Sequence, residues 1–138
     1  MAYDPDNIFA RILRGEIPCH RVYEDADTLA FMDLMPQADG HTLVVPRAEG
    51  ENIYTMPADA LCAAIRTTQK IARAVQKAFS PPGIMVAQLN GPAAGQSVLH
   101  LHFHVIPRYE NVGMRIHARE KADPKLLAEH AARIRAAL

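Results

Sequence analysis

The chain has 138 residues, of which 49% are hydrophobic and 22% are charged, as in an ordinary folded domain. Its 15 basic residues balance its 15 acidic ones, so no broad positive surface indicates binding to nucleic acid or to a membrane. The two cysteines, Cys19 and Cys62, are far apart in the chain and give little support to a disulfide framework or a thiolate zinc site.

The N-terminal stretch MAYDPDNIFARILRGE lacks the basic start and the apolar run of a signal peptide. No uninterrupted apolar stretch approaches the length of a membrane span. We therefore expect a cytoplasmic protein that forms one domain over residues 1–138 and has no membrane partner.

A short helix and three strands are predicted first. Asp6-Asn7 can cap a helix that runs to about Arg14, and Gly15 would end it. Its inward-facing residues would be Ile8, Phe9, Ile12 and Leu13. Segments with strand character then follow at 20–24, 28–33 and 41–46.

One long helix separates these strands from two more. Apolar residues recur at helical spacing from about Ala58 to Phe79. Pro57 suits the first helical position, and Pro81-Pro82-Gly83 would end the helix. The later strands are predicted at 84–89 and 98–106.

A C-terminal helix is predicted to begin at Asp123-Pro124. Its apolar side would carry Leu126, Leu127, Ala131 and Ile134. Strands in runs around one long helix predict an α+β fold. We expect a five-stranded, largely antiparallel sheet with the long helix packed on it and short helices at both termini.

The stretch HLHFHV places three histidines at alternate positions of the last predicted strand, so that His100, His102 and His104 would share one face. They cannot easily share one metal ion, because His100 and His104 would start about 13 Å apart. Zinc ligands must lie within about 3–4 Å of one another. Two alternatives stay open: an HxH pair that binds metal with a third ligand from elsewhere, and histidines with a structural or solvated role.

The loop NGPAAGQS precedes these histidines and suits an anion. It supplies two glycines, which allow close backbone approach, and Asn90, Gln96 and Ser97 as neutral hydrogen-bonding groups. Asn-Gly-Pro is also ordinary turn chemistry. Beside three imidazoles, which are substantially neutral at pH 7 and can attack phosphorus, the loop favours nucleotidyl transfer through a covalent histidine intermediate.

Three alternating histidines, each followed by an apolar residue, resemble the signature of the histidine triad family. The segments IFARILRGEIPCHRVYED, LAFMDLMPQADGHTLVVPR and NGPAAGQSVLHLHFHVIPR resemble its Hint-type, nucleoside phosphoramidase branch. The resemblance covers about Asn7 to Arg108, the core of the predicted domain. The helical tail at about 123–138 lies outside it.

The resemblance implies a role for each matching residue. His102 would be the nucleophile that attacks the α-phosphorus, His104 and His41 would contact the phosphate region or orient the nucleophile, and His100 would secure the strand. The phosphate would be held by Asn90, Gly95, Gln96 and Ser97. The ribose hydroxyls would meet Asp33, and the purine base would lie between Ile8, Phe9 and Leu34.

These roles have simpler alternatives. Asp33 could cap a turn, and Ile8 and Phe9 are expected to be core residues whatever else they touch. His20, His117 and His130 match nothing in the family pattern, and we expect them at the surface.

The resemblance also implies a purine nucleotide phosphohydrolase without a cofactor, and typically a homodimer joined through the long helix and the 84–89 strand. Many bacterial relatives bind zinc through CxxC, but this chain has Asn7-Ile8-Phe9-Ala10 there, so we expect no metal. Three other functions stay open. They are a dinucleoside polyphosphate hydrolase, for which Arg47 and Arg108 are the obvious cations, a nucleotide-binding regulator with little turnover, and a metal-binding module.

Overall fold

The computed structural model describes residues 2–110, 112–113 and 120–138. Its elements, in chain order, are α1 (Ile8–Leu13), β1 (Arg21–Glu24), β2 (Thr28–Met32), β3 (Thr42–Pro46), α2 (Ala58–Phe79), β4 (Gly83–Gln88), β5 (Phe103–Arg108) and α3 (Pro124–Ala137). The strands form one antiparallel sheet in the order β1-β2-β3-β5-β4. The predicted fold class is confirmed.

The main core lies between one face of the sheet and the two longer helices. Helix α2 begins after Pro57 and ends at Ser80, which adopts the left-handed conformation at φ 48°. Its buried stripe, which includes Ile71 and Val75, packs with Val44 of β3 and Val105 of β5. Helix α3 completes this cluster through Leu127, Ala131 and Ile134. Burial of these apolar side chains is what holds the helices on the sheet.

The opposite face of the sheet is covered by α1. The Asn7 side chain caps this helix by accepting the backbone N–H of Ala10 at 2.9 Å. The second cluster consists of Phe9, Ile12, Leu29, Phe31, Leu43 and Val45. Because β2 and β3 are covered on both faces, every residue in them is buried.

Two residues predicted to face inward do not. Ile8 is 43% exposed and Leu126 is 39% exposed. Helix α1 has only six residues, so the narrow side that carries Phe9 and Ile12 is all that reaches the sheet. Ile8 is rotated about 100° from Phe9 and points away. Leu126 is likewise rotated about 100° from the buried Leu127, so it lies beside the buried stripe of α3.

Strand β5 begins five residues later than predicted, so only His104 of the three histidines lies in it. The ladders to β3 and β4 both end at Phe103. Beyond that point β3 offers Pro46, which has no N–H, and the Leu101 N–H instead donates to the Gly50 carbonyl at 2.9 Å. The prediction that His100 and His102 stand in a strand is therefore wrong.

Within the described residues, no helix combines the length and the apolar character that a bilayer crossing requires.

Candidate active site

His102 lies directly before β5 and is only 5% exposed. Its Nδ1 atom is 2.7 Å from the carbonyl oxygen of His100. A carbonyl can only accept, so Nδ1 carries the proton and donates it. In the neutral ring, the lone pair then resides on Nε2. The Phe9 ring packs perpendicular to this imidazole, with 4.8 Å between the centroids.

Burial keeps the His102 ring neutral. Its pKa is lowered from 6.5 to about 4, mainly by desolvation; the hydrogen bond to the His100 carbonyl acts in the opposite direction, and the neighbouring imidazoles of His104 and His100 add to the lowering. At pH 7 the Nε2 lone pair is therefore available in nearly every molecule.

His100 is completely buried and both of its ring nitrogens have partners. Nε2 donates to the carbonyl of Pro46 at 2.8 Å, so Nδ1 is the acceptor for the hydroxyl of Tyr3 at 2.6 Å. Burial lowers the pKa of this imidazole as well. One fixed tautomer follows from these two contacts.

A hydrogen-bond relay joins Gln37, His41 and His104. The backbone N–H of Gln37 donates to His41 Nδ1 at 3.0 Å, so the His41 proton resides on Nε2. That atom is 3.0 Å from His104 Nδ1. His104 Nδ1 is then the acceptor, so that in a neutral His104 ring the proton resides on Nε2.

Asp33 is the acidic member of this group. One of its carboxylate oxygens accepts the Met35 N–H at 2.9 Å, and the other lies 3.4 Å from His41 Nε2. Burial raises the pKa of Asp33 to about 6. Burial also lowers the pKa of His41 to about 3, so His41 is neutral at pH 7 and its contact with Asp33 is not an ion pair.

Asp33, His41 and His104 offer ligand atoms within 4.8 Å of one another, which makes this cluster a candidate metal site. A metal ion needs the lone pair of His41 Nε2. The Gln37 N–H donates to His41 Nδ1 and therefore puts the proton on Nε2. Metal binding would break that hydrogen bond and leave a proton on Nδ1 facing the N–H. The arrangement thus disfavours a metal ion, and the expected absence of metal stays a prediction.

The loop at 90–97 is held by its own hydrogen bonds. The amide group of Gln96 donates to the carbonyls of Glu51 and Val98, and its oxygen accepts the Gly91 N–H at 2.8 Å. The N–H groups of Gly95 and Gln96 also donate within the loop. The side chain of Gln96 therefore shapes the loop and does not present a donor, in contrast to its predicted role as a phosphate ligand.

Two other predicted phosphate ligands are differently placed. The Asn90 oxygen accepts the N–H of Ile53 and the amide of Gln88, so this side chain too is part of the scaffold. Ser97 is exposed, and its hydroxyl makes no hydrogen bond to any residue that the structure describes. Of the four predicted phosphate ligands, Ser97 thus has the most accessible side-chain donor.

The predicted base-binding residues fall into two groups. Phe9 is buried between Phe31 and His102, whereas Ile8 and Leu34 are each 43% exposed. Two apolar side chains are thus accessible to a planar base.

Two of the three histidines outside the family pattern can be compared with the expectation of a surface position. His130 is buried, because its ring packs against the Phe79 ring at 5.2 Å, so its predicted surface position is wrong. His20 is half-buried, and His117 lies outside the described residues. Sequence reasoning also missed Tyr3 and Gln37. The four-residue spacing of Gln37 and His41 around a turn was a weak signal, and Tyr3 carries none.

The buried imidazoles predict a loss of stability in acid. In the unfolded chain, histidines bind protons below about pH 6.5. Folded His41 and His102, with pKa values of about 3 and about 4, do not bind protons until the pH is much lower. Each of these two histidines therefore lowers the free energy of unfolding by about 2 kcal/mol when the pH falls from 7 to 5. Asp33, with its raised folded pKa of about 6, opposes this by about 1 kcal/mol.

We therefore expect the free energy of unfolding, measured with urea, to be about 2–3 kcal/mol lower at pH 5 than at pH 7. A His41→Gln variant should lose much of this difference, whereas His20→Ala should keep it. Equal pH dependence in the wild type and His41→Gln would contradict this assignment.

Comparison with known proteins places the chain in a described family. A family model described as "HIT domain" matches residues 14–111. A crystal structure of a Hit-like protein from Bartonella henselae, described as involved in cell-cycle regulation and solved with an unknown ligand, has 50% identity and a TM-score of 0.93, covering 99% of this chain and 100% of that one.

Two sequence relatives illustrate how much is known of such proteins. An uncharacterised HIT-like protein of Methanocaldococcus jannaschii is 46% identical over 106 residues, 77% of this chain and 81% of that protein. An adenosine 5'-monophosphoramidase of Schizosaccharomyces pombe is 40% identical over 101 residues, 73% of each chain.

Proposed function

Since this chain belongs to the HIT domain family, we propose that it binds a purine nucleotide and hydrolyses nucleoside phosphoramidates at the α-phosphorus through a nucleotidyl-His102 intermediate. The observation that carries the proposal is the 2.7 Å hydrogen bond from His102 Nδ1 to the His100 carbonyl, which leaves the lone pair on Nε2. A fixed tautomer and a depressed pKa are what an imidazole nucleophile requires at pH 7.

The proposed reaction has two steps. In the first, His102 Nε2 forms a bond to the α-phosphorus while the bond from phosphorus to the leaving amine breaks. The amine takes up a proton, and the exposed hydroxyl of Ser97 is our candidate to pass it on from solvent. The His102 ring becomes positive, and its Nδ1–H donates to the His100 carbonyl more strongly. In the second step, a water oxygen bonds to phosphorus while the bond from phosphorus to His102 Nε2 breaks. The water gives up a proton to solvent, the nucleoside monophosphate leaves, and the His102 ring returns neutral with its proton on Nδ1.

His104 is our candidate to stabilise the phosphoryl group as it reacts. The relay from Gln37 through His41 keeps the proton on His104 Nε2, where it can be donated to a non-bridging phosphate oxygen. A hydrogen-bond donor that is held in place before the reaction begins stabilises charge that develops in the transition state. His41 would then act through His104 as a positioning residue.

Asp33 is our candidate for binding the ribose. Its ionised carboxylate can accept both ribose hydroxyls, and such charge-assisted bonds are strong. The exposed side chains of Ile8 and Leu34 would contact the base. Asn90, Gly95 and Gln96 would contribute by holding the loop that carries Ser97.

The raised pKa of Asp33 predicts that nucleotide affinity depends on pH. Ribose hydroxyls bind the ionised carboxylate, which is formed only above about pH 6. The dissociation constant for AMP, measured by calorimetry, should therefore fall by about tenfold from pH 5 to pH 7. Asp33→Asn should bind AMP weakly at both pH values, with little pH dependence. If the variant kept the wild-type pH dependence, Asp33 would not be the ribose acceptor.

A substrate comparison tests the proposed activity. The S. pombe relative named adenosine 5'-monophosphoramidase supports AMP attached to an amine as the first substrate to assay. We expect release of AMP from such a phosphoramidate to exceed cleavage of a dinucleoside polyphosphate. Cleavage of neither compound, with AMP still bound, would favour the regulator with little turnover.

The hydrogen bonds of Arg47 and Arg108 argue against a substrate with a long phosphate chain. Arg47 donates to Glu24 and to the Asp25 carbonyl, and Arg108 donates to the Val112 carbonyl. Both arginines that the sequence offered for extra phosphates are thus engaged elsewhere. This is why we place the dinucleoside polyphosphate hydrolase second.

We also propose that the protein forms a homodimer through α2 and β4. Strand β4 is at an edge of the sheet, where its unpaired backbone groups can join another strand. Val86 of β4 is 46% exposed and Ile65 of α2 is 48% exposed, so each of the two elements offers an apolar side chain to a partner. A molar mass of one chain in light scattering would refute this. The cytoplasmic location stays a prediction.

A further inference from the structure

Tyr3 lies before α1 and contacts the active site from outside the sheet. Its hydroxyl is 2.6 Å from Nδ1 of His100, and its ring meets the His100 ring edge-on with the centroids 5.7 Å apart. Tyr3 also precedes the segment 14–111 that the family model matches. A residue outside the matched segment therefore completes the hydrogen bonds of a fully buried histidine.

We propose that Tyr3 is a positioning residue for the nucleophile, acting on His102 through His100. The hydroxyl donates to His100 Nδ1, which keeps the His100 proton on Nε2, and Nε2 donates to the Pro46 carbonyl at 2.8 Å. These two bonds fix the His100 ring at both ends. The carbonyl of the same residue accepts the His102 Nδ1–H, so its position determines which nitrogen of His102 has the lone pair. The inference rests on the proposed role of His102.

The hydroxyl matters because His100 has no exposure to water. Without the hydroxyl, Nδ1 would be a buried acceptor with no hydrogen bond, which costs free energy. The ring could relieve this by exchanging tautomers or by rotating, and either change would break the bond to Pro46. The segment 100–102 lies outside the strand ladders, so its backbone is held without ladder bonds, and the bond from His100 Nε2 to Pro46 and the bond from Leu101 N–H to Gly50 help to hold it. Loss of the Tyr3 bond would therefore move the His100 carbonyl.

The test compares Tyr3→Phe with the wild type by two measurements. Phenylalanine keeps the edge-on ring contact and removes only the hydroxyl, whereas Tyr3→Ala removes both. The matched control is Tyr54→Phe, because Tyr54 is 81% exposed. The first measurement is ¹⁵N NMR of the imidazoles in nucleotide-free protein, which identifies the protonated nitrogen of each ring. The second is kcat and KM for an AMP phosphoramidate.

In the wild type we expect His100 protonated on Nε2 and His102 protonated on Nδ1. In Tyr3→Phe we expect a mixture of His102 tautomers and a kcat about five- to tenfold lower, the value of one hydrogen bond, with KM nearly unchanged. Tyr54→Phe should match the wild type in both measurements. Tyr3→Ala should be the least stable variant but should have about the same kcat as Tyr3→Phe.

Two results would overturn the inference. One is a wild-type spectrum that shows His100 protonated on Nδ1 instead of Nε2. This result does not depend on whether any variant folds. The other is a Tyr3→Phe protein with unchanged imidazole spectra and unchanged kcat. If the wild type cleaved no phosphoramidate, the proposed function would fail, while the NMR comparison would still decide whether Tyr3 controls the His102 tautomer.

Discussion

His102→Ala is expected to lower kcat for an AMP phosphoramidate by about 10⁴-fold or more, because it removes the atom that we propose forms the covalent intermediate. Without Nε2, water must displace the amine in one step. The stabilisation that the His100 carbonyl would give to a cationic His102 ring is also lost. Binding of AMP should change little, since the proposed ribose and base contacts are with Asp33, Ile8 and Leu34 and do not involve His102. The measurement is steady-state release of AMP, together with the dissociation constant for AMP.

The control for this variant is His20→Ala, which removes an imidazole that lines a groove beside Cys19 and Arg135, away from the triad. It should keep wild-type turnover. Urea unfolding of both variants separates a chemical effect from a folding defect, because His102 is buried against Phe9. More than about 1% of wild-type kcat in a folded His102→Ala protein would contradict the role of nucleophile.

His104→Ala is expected to lower kcat by about 10²–10³-fold, the usual effect of removing one donor that stabilises a developing negative charge. His104→Gln should recover part of this loss, because its amide can donate toward the same phosphate oxygen. The covalent intermediate should still form in both variants, only more slowly. Single-turnover rates for the formation of the intermediate are the appropriate measurement.

The relay from Gln37 through His41 to His104 provides a variant to compare with His104→Ala. His41→Gln leaves His104 in place but alters the group that donates to its Nδ1 at 3.0 Å. We expect an effect smaller than that of His104→Ala, and no additional loss when the two changes are combined, since both act through one donor. Independent, additive losses would mean that His41 does not act through His104.

The sequence predicted the long helix and the sheet well because local patterns determine them. Helix α2 runs from Ala58 to Phe79 as expected, since its apolar spacing and the prolines at both ends are local signals. The start of β5 was not predictable in this way. It depends on Pro46 in a neighbouring strand, which lies far away in sequence, and on the hydrogen bond from Leu101 to Gly50.

The residues of the candidate site could be named from the sequence, but their hydrogen bonds could not. The pattern HLHFH identified His102, whereas its protonated nitrogen depends on the position of one carbonyl. Gln96 was predicted as a ligand because it is polar, yet the fold uses its amide inside the loop. Tyr3 and His130 have no motif, since only tertiary packing brings them to His100 and Phe79.

The most direct test of the central claim is the mass of the intact protein after rapid mixing with an AMP phosphoramidate and quenching without acid. AMP release is measured in the same samples, so that an intermediate too short-lived to be seen is recognised by its product. We predict a transient gain of one AMP group in the wild type, located on the peptide that contains His102 and absent from His102→Ala. Turnover with an AMP group on another residue, or an equal mass gain in His102→Ala, would contradict catalysis through a nucleotidyl-His102 intermediate.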